Sequence, residues 1–258
     1  MGVLAPDGHE FWATVSGEPL AELLRQEAMA WQWGVTGIEF RADLIPEPVF
    51  NELLLENDRR GGWLGPTFVA HFGTGAQAEL AQQAIGWSLS TGVAGCICHS
   101  RCELIDEIQA ACAAASRHFV AAYHSQQPMT AEEALAEFER QELRRPLFRK
   151  IAVRAYSVDD VLAVLHATRL AAQDGGSPVV AAVFGPHRWA RVALPHAGST
   201  ISFLVTQQVQ NEVGADDEQL QLAEVDQLQL VHGLYPLRHE QLDGGASNPL
   251  VIGTTVRS

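Results

Sequence analysis

The composition of this chain of 258 residues argues against two classes of partner. A formal net charge of −14 and a pI near 5.0 disfavour nucleic acid and anionic membranes, because both select a basic surface. The sequence shows neither a secretion signal nor an apolar run approaching the roughly 20 residues that span a bilayer. We therefore expect a soluble, cytoplasmic protein in which locally placed arginines hold any anionic substrate.

Short apolar or β-branched runs alternate with longer amphipathic stretches, which is the pattern of repeated βα units around a parallel sheet. Strands are predicted at residues 9–16, 35–43, 67–72, 93–99, 118–124, 147–155, 178–185 and 199–205. Helices are predicted at residues 18–31, 77–87, 101–117, 130–143, 157–173 and 218–231. The fifth of these helices opens with a capping-box pattern, Ser157 to Asp160. The seventh unit has room only for a short helix around residues 187–194.

Eight such units predict an α/β fold, a (β/α)8 TIM barrel that forms a single domain over residues 1–258. Barrels of this kind commonly have about 250 residues. An open doubly wound sheet would usually have fewer strands and a glycine-rich phosphate turn, and the chain has neither a G-x-G-x-x-G nor a Walker motif. The tail from about residue 235 carries turn signals and is predicted to be a surface extension.

Four cysteines, Cys96, Cys98, Cys102 and Cys112, fall within 17 residues of each other. A chain of this size does not need a disulfide framework, so we expect reduced thiols that pack as small apolar core residues. The run from Cys96 to His99 could also supply soft metal ligands, but the second paired cluster of a zinc site is missing. The prediction is therefore that there is no metal site, with a metal as the open alternative.

Lys150 is the only lysine in the chain, since 16 of its 17 Lys+Arg residues are arginine. A guanidinium stays protonated and is not a nucleophile, whereas a lysine amine with a lowered pKa attacks a ketone to form an imine. The alternative explanation is compositional drift toward arginine that left one lysine behind.

In a (β/α)8 barrel the active site gathers at the carboxyl ends of the strands. Glu39 and Arg41 lie near the end of the second predicted strand and share one face of it with Asp43. His124 ends the fifth strand and Lys150 lies in the sixth, so an imidazole and an amine are predicted on adjacent strands. This pairing suits imine chemistry, because the imidazole moves protons at neutral pH while the imine withdraws electrons.

These residues resemble the type I 3-dehydroquinate dehydratases. Residues 37–43, G-I-E-F-R-A-D, resemble the family's E-x-R-x-D strand, residues 123–124 its S-Y-H segment, and residues 150–153 its K-I-A-V strand. Residues 189–191 and 197–199 are similar to its S-R segment and the F-G-S that follows. The resemblance runs through nearly the whole chain in order and approximate spacing.

The resemblance implies a hydro-lyase of the shikimate pathway, on the route to the aromatic amino acids. The enzyme would convert 3-dehydroquinate, an anionic cyclic keto acid, to 3-dehydroshikimate, with no metal or organic cofactor and as a homodimer. Lys150 would form the imine with the ketone, and His124 would transfer protons. The residues implied to bind substrate are Glu39, Arg41, Arg191 and Gln219.

Three segments depart from the family pattern. Residues 71–77, H-F-G-T-G-A-Q, stand where the family carries an arginine and a glutamate. Residues 96–99, C-I-C-H, replace a D-x-E strand, and residues 214–219, G-A-D-D-E-Q, replace an S-A-P-G-Q loop of which only the glutamine matches. The imine-forming residues are retained, but the groups that recognise the substrate have changed.

The changed segments leave two alternatives to the dehydratase. One is an imine-forming lyase that acts on a related cyclic keto acid, and the other is a non-catalytic binding or regulatory descendant of the barrel. For an enzyme, we expect either a pocket widened at Gly73 and Gly75 or compensation by His71, His99 or His187.

Overall fold

The computed structural model describes residues 9–205, and within them the eight predicted strands form one parallel sheet. The strands are β1 (Glu10–Val15), β2 (Gly37–Arg41), β3 (Thr67–His71), β4 (Gly95–His99), β5 (His118–Ser125), β6 (Arg149–Arg154), β7 (Val179–Phe184) and β8 (Ile201–Val205). Each strand from β1 to β6 pairs in parallel with the next one, and β1 also pairs with β8. The (β/α)8 barrel is thereby confirmed.

The ring of strands closes through a short seam between β7 and β8. In the described part of the chain this seam consists of a parallel bridge between Val179 and Ser199 and the hydrogen bonds around it. The N–H of Thr200 donates to the carbonyl of Val179 at 2.9 Å, and the N–H of Ala181 donates to Ser199 Oγ at 3.0 Å. The barrel is therefore complete but least regularly paired beside its last strand.

The helices surround the sheet in the predicted order, with one addition. They are α1 (Leu20–Gln32), α2 (Glu47–Arg59), α3 (Ala78–Leu89), α4 (Ile105–Ala114), α5 (Ala131–Glu142) and α6 (Val158–Gln173). Helix α2 is absent from the predicted set, although its buried residues Phe50, Leu53, Leu54 and Asn57 follow the i, i+3, i+4, i+7 spacing of an amphipathic helix.

Two further expectations about local structure are confirmed. At the start of α6, Ser157 and Asp160 form the reciprocal capping box. The seventh unit holds only two short 3₁₀ segments, Arg188–Val192 and Leu194–Ala197. The predicted helix at 218–231 and the extension from about residue 235 lie outside the described residues.

Aromatic side chains fill the half of the barrel interior that lies toward the amino ends of the strands. The Trp12 ring packs against Phe68, Phe148 and Phe203, with ring centroids 4.7, 5.7 and 5.6 Å away. Gly37 makes room for this cluster, since a Cβ there would lie 2.6 Å from the Trp12 ring. Burying side chains of this size stabilises the fold by about 1.5–3 kcal/mol each. The cluster also forms an apolar floor beneath the carboxyl ends of the strands.

The four cysteines pack on the outer, helix-facing side of the sheet. Cys96 and Cys98 alternate with Ile97, whose side chain joins the barrel interior, and they cluster with Cys102 and Cys112. All four are buried and free of disulfides. Burial raises the pKa of the Cys98 thiol, so this residue behaves as the small apolar group that we expected.

No helix among residues 9–205 is both long enough and apolar enough to cross a bilayer.

Candidate active site

A cavity at the carboxyl ends of the strands gathers five of the six predicted site residues. These are Glu39, Arg41, His124, Lys150 and Arg191. The sixth, Gln219, lies outside the described residues. Strand alternation explains the grouping, because Glu39 and Arg41 on β2, His124 on β5 and Lys150 on β6 all occupy inward-facing positions.

The amine of Lys150 is buried above the aromatic floor and is held by Glu39. Its Nζ lies 2.6 Å from Glu39 Oε1 and 3.4 Å from the centroid of the Phe203 ring. Glu39 Oε2 accepts a second hydrogen bond, 3.0 Å long, from Thr14 Oγ1. The carboxylate expected to bind substrate thus also orients the amine.

Burial lowers the pKa of Lys150 from its ordinary value of 10.5. Glu39 opposes this effect by favouring the ammonium form, and the positive charges of Arg41 and Arg191 add to the lowering. A larger fraction of the amine is therefore neutral near pH 7 to 8 than for a solvated lysine, as nucleophilic attack requires.

His124 lines the same cavity and packs against an aromatic ring. Its ring centroid is 4.0 Å from that of Phe72, and within residues 9–205 its buried Nε2 has no hydrogen-bond partner. Burial, with Arg41 and Lys150 as further causes, lowers the pKa of His124 well below 6.5. The imidazole is therefore neutral at physiological pH and can accept a proton.

Arg41 is oriented by the carboxylate two residues further along the chain. Its Nε and Nη2 donate to Asp43 Oδ1 and Oδ2 at 2.8 and 2.7 Å, and its guanidinium carbon lies 4.5 Å from the Phe72 ring centroid. Burial acts to raise the pKa of Asp43, but Arg41 outweighs burial and the pKa is lowered. The E-x-R-x-D spacing therefore gives one carboxylate that meets the lysine and one that fixes the arginine.

Arg191 reaches the cavity from the segment between β7 and β8. Its Nε donates to the carbonyl of Val183 at 2.7 Å, and its Nη1 donates to the carbonyl of Phe203. Burial lowers the pKa of Arg191 to about 10, so the guanidinium stays charged at neutral pH. Arg191 is thus both a cation beside the cavity and a link across the β7–β8 seam.

The histidines expected to compensate for the altered third strand lie elsewhere. His71 accepts a hydrogen bond from the N–H of Gly73 and lines a separate cavity, while His187 contacts the carbonyl of Tyr156 at 3.2 Å. His99 packs against the Tyr123 ring, with centroids 5.4 Å apart. Gly73 opens no space, since a Cβ there would lie 2.6 Å from the carbonyl of Gln77. In the described chain, none of these four residues lines the cavity.

Three polar residues that the sequence analysis did not single out line the cavity instead, among them Thr14 on β1. Arg154 ends β6, and Gln126 follows the end of β5. For Arg154 a signal was available, because positions 150, 152 and 154 fall on one face of a strand. Gln126 lies beyond its strand, where alternation no longer indicates which way a side chain points.

Within residues 9–205 no group of three or more His, Cys, Asp or Glu side chains is arranged to hold a metal ion. Among the described residues, the ionisable groups that line the cavity are one amine, one imidazole, one carboxylate and three guanidinium groups.

Comparison with protein families and solved structures gives a consistent result. The model of the type I 3-dehydroquinase family matches residues 99–234, which is more than half of the chain. No curated protein matches the sequence.

Several solved structures share the fold. A type I 3-dehydroquinate dehydratase from Clostridium difficile, with covalently modified comenic acid, has a TM-score of 0.72 at 16% identity, covering 89% of this chain and 94% of that one. The 3-dehydroquinate dehydratase from Geobacillus kaustophilus HTA426 has a TM-score of 0.72 at 21% identity, covering 87% and 91%. That from Enterococcus faecalis has a TM-score of 0.69 at 18% identity, covering 78% and 90%.

Proposed function

The chain belongs to the type I 3-dehydroquinase family, and on that premise we propose that it dehydrates 3-dehydroquinate to 3-dehydroshikimate through an imine on Lys150. The observation that carries the proposal is the buried amine of Lys150, with its lowered pKa, in one cavity with the neutral His124 imidazole. A lone lysine at this position has an evident use in an enzyme, whereas a non-catalytic binding descendant would not need it.

The reaction follows from these two groups. The neutral amine of Lys150 adds to the substrate ketone, and loss of water from the adduct leaves a protonated imine. The His124 imidazole takes the proton from the carbon beside the imine, and the electron pair moves toward the imine nitrogen. That pair returns to expel the ring hydroxyl, which leaves as water with a proton from His124. Hydrolysis of the imine consumes one water and releases the product and the free amine, so the net change is the loss of one water.

The remaining cavity residues bind and orient the substrate. Glu39 faces the reacting centre beside Lys150 and suits a ring hydroxyl, while Arg41 and Arg191 supply positive charge for a carboxylate. Gln219, from the part of the chain beyond residue 205, completes the proposed set. A cytoplasmic location and a homodimer also belong to the proposal, and the latter is tested by light scattering of the purified protein.

Borohydride trapping tests the imine directly. Reduction of the wild-type protein in the presence of 3-dehydroquinate should add the mass of one reduced ligand, and peptide mapping should locate it on Lys150. Lys150→Arg keeps the charge but removes the nucleophile, so it should give no adduct and no turnover. Full turnover by Lys150→Arg would overturn covalent catalysis by the lysine.

His124 should act after the covalent step. His124→Ala is expected to slow kcat by about two orders of magnitude or more while still allowing a trappable adduct, because the adduct depends mainly on the amine. Lys150→Ala should lose both turnover and the formation of a trappable adduct. Turnover of His124→Ala at the native rate would show that His124 has no part in proton transfer.

A further inference from the structure

Arg154 lies in the cavity on the same row of strand β6 as the lysine. Alternation turns Lys150, Ala152 and Arg154 to one side, and all three line the cavity. At about 3.3 Å per residue, Arg154 starts about 13 Å further toward the carboxyl end than Lys150. The guanidinium therefore belongs to the mouth of the cavity and not to its floor.

The side chain of Arg154 is positioned by neighbours from three strand ends. Its Nε donates to Gln126 Oε1 at 3.3 Å, and its guanidinium carbon lies 5.1 Å from the Phe184 ring centroid and 5.8 Å from that of Tyr156. Gln126 and Phe184 line the same cavity. Aromatic contacts of this kind hold a guanidinium plane while leaving its charge intact.

The two arginines that the family resemblance assigns to the substrate each give two donors to the protein itself. Arg41 gives Nε and Nη2 to Asp43, and Arg191 gives Nε and Nη1 to backbone carbonyls. Strong recognition of a carboxylate uses two parallel donors of one guanidinium or donors from two arginines. Arg154 and Arg191 line this one cavity together with Ala182 and Phe184 of β7.

We propose that Arg154, supported by Gln126, is a further substrate-binding residue that holds the carboxylate of the cyclic keto acid at the cavity mouth together with Arg191. This inference rests on the proposed function and deepens it. Arg154 then selects anionic over neutral cyclic ketones, and it supplies on β6 a cation of the kind that residues 71–77 lack.

Steady-state kinetics of Arg154→Gln, Arg154→Lys and Arg169→Gln provide the first test. Arg169 is an exposed residue of α6 outside the cavity, so its variant removes the same charge from the surface. Arg154→Gln should raise KM for 3-dehydroquinate about tenfold and change kcat less than threefold. Arg154→Lys should raise KM less, and Arg169→Gln should match the wild type. A KM for Arg154→Gln within twofold of the wild-type value would overturn the proposal.

A ligand pair separates recognition of the carboxylate from a structural role. Quinate, which lacks the ketone, and its carboxamide differ only in the group that Arg154 is proposed to hold. Arg154→Gln should weaken binding of quinate about tenfold and leave binding of the carboxamide unchanged. Equal losses for both ligands would overturn the proposal.

The two proposals fail in different ways. A wild-type protein that neither turns over nor traps 3-dehydroquinate would overturn the proposed function, and the quinate pair would still decide the role of Arg154. If the wild-type protein bound neither 3-dehydroquinate nor quinate, both proposals would be overturned.

Discussion

Lys150 is subject to two opposing influences on its charge. Removing an ammonium and a carboxylate from water is costly, and only close contact repays that cost. Here Glu39 lies 2.6 Å from Nζ and is itself held by Thr14, while burial acts in the other direction and lowers the pKa of the amine. The arrangement holds the lysine in one place and still allows its proton to leave.

Glu39→Gln should therefore make the amine easier to deprotonate. The substitution keeps the shape of the side chain but removes a negative charge that raises the pKa of Lys150, so that pKa should fall further. We expect the acid limb of the pH profile for borohydride trapping to move to lower pH. The profile is measured between pH 5 and 10 by quantifying the reduced adduct in the intact protein.

Thr14→Val is the matched control for this prediction. It removes one hydrogen bond from Glu39 and leaves the carboxylate charge beside the lysine. The acid limb of Thr14→Val should stay at the wild-type position. A shift of the Glu39→Gln profile to higher pH, or no shift, would contradict the view that Glu39 supports the protonated amine.

Five of the six residues predicted from sequence motifs lie in one cavity, whereas a residue whose role depends on the packing of a helix against a strand was missed. Strand alternation and the E-x-R-x-D and K-I-A-V segments were sufficient to find Glu39, Arg41 and Lys150. Gln141 was missed because its role depends on how a helix packs against a strand, which no local pattern encodes.

Helix α5 holds strand β6 at the lysine. The N–H of Lys150 donates to Gln141 Oε1 at 2.7 Å, and Gln141 Nε2 donates to the carbonyl of Lys150 at 3.0 Å. Gln141 is buried next to Glu137, which accepts a hydrogen bond from Ser100 Oγ. A helix side chain thus satisfies both backbone groups of the residue that carries the amine.

Gln141→Leu should lower catalysis beyond its effect on stability. Losing the two hydrogen bonds leaves the backbone of Lys150 unsatisfied, at a cost of about 1–3 kcal/mol, and lets the lysine shift relative to Glu39. Small misplacements of a reacting group are costly, so we expect kcat to fall about tenfold or more. The measurements are kcat, the rate of adduct trapping and the free energy of unfolding.

Gln26→Leu provides the control for the helix contact. Gln26 is an equally buried glutamine on α1, and its Nε2 donates to the carbonyl of Ser16 at 3.1 Å, outside the cavity lining. We expect comparable destabilisation but a near-native kcat. Equal losses of kcat in the two variants would show that Gln141 acts through general stability alone.

The strands were easier to predict than the way in which they close. In a sequence, buried parallel strands appear as short apolar runs between turn signals, so all eight strands could be predicted in their order along the chain. Closure of the β7–β8 seam adds two side chains to one short backbone bridge, namely Ser199 and Arg191, whose guanidinium donates to a carbonyl on each strand. Such contacts form only once the ring of strands is closed, so no periodic pattern in the sequence predicts them.

At the scale of the whole barrel, an aromatic cluster fills the amino-terminal end of the interior and charged side chains line the cavity at the carboxyl end. The length and the eightfold repetition indicated this architecture, because few other folds accommodate eight βα units. The distribution of charge within it was not predictable. It depends on which histidines become buried, and burial lowers the pKa of His71, His99 and His124.

His9 is a further histidine that burial keeps neutral, and it lies at the opposite end of the barrel from the cavity. Its Nδ1 lies 2.9 Å from the carbonyl of Ser199, which requires Nδ1 to be the donor, and its Nε2 lies 3.1 Å from Ser202 Oγ. Burial lowers the pKa of His9 to about 4, and the Ser199 carbonyl opposes this only in part. The unfolded chain therefore takes up this proton at higher pH than the folded protein does.

Stability should fall as the pH drops from 6.5 toward 4, because the unfolded state binds more protons over that interval. Each such histidine contributes a slope of up to about 1.4 kcal/mol per pH unit. His9→Gln should reduce this slope by up to about 1.4 kcal/mol per pH unit relative to the wild type. Denaturant unfolding of the wild type and of His9→Gln at a series of pH values measures both slopes. An unaltered slope in His9→Gln would mean that His9 is already protonated in the folded barrel.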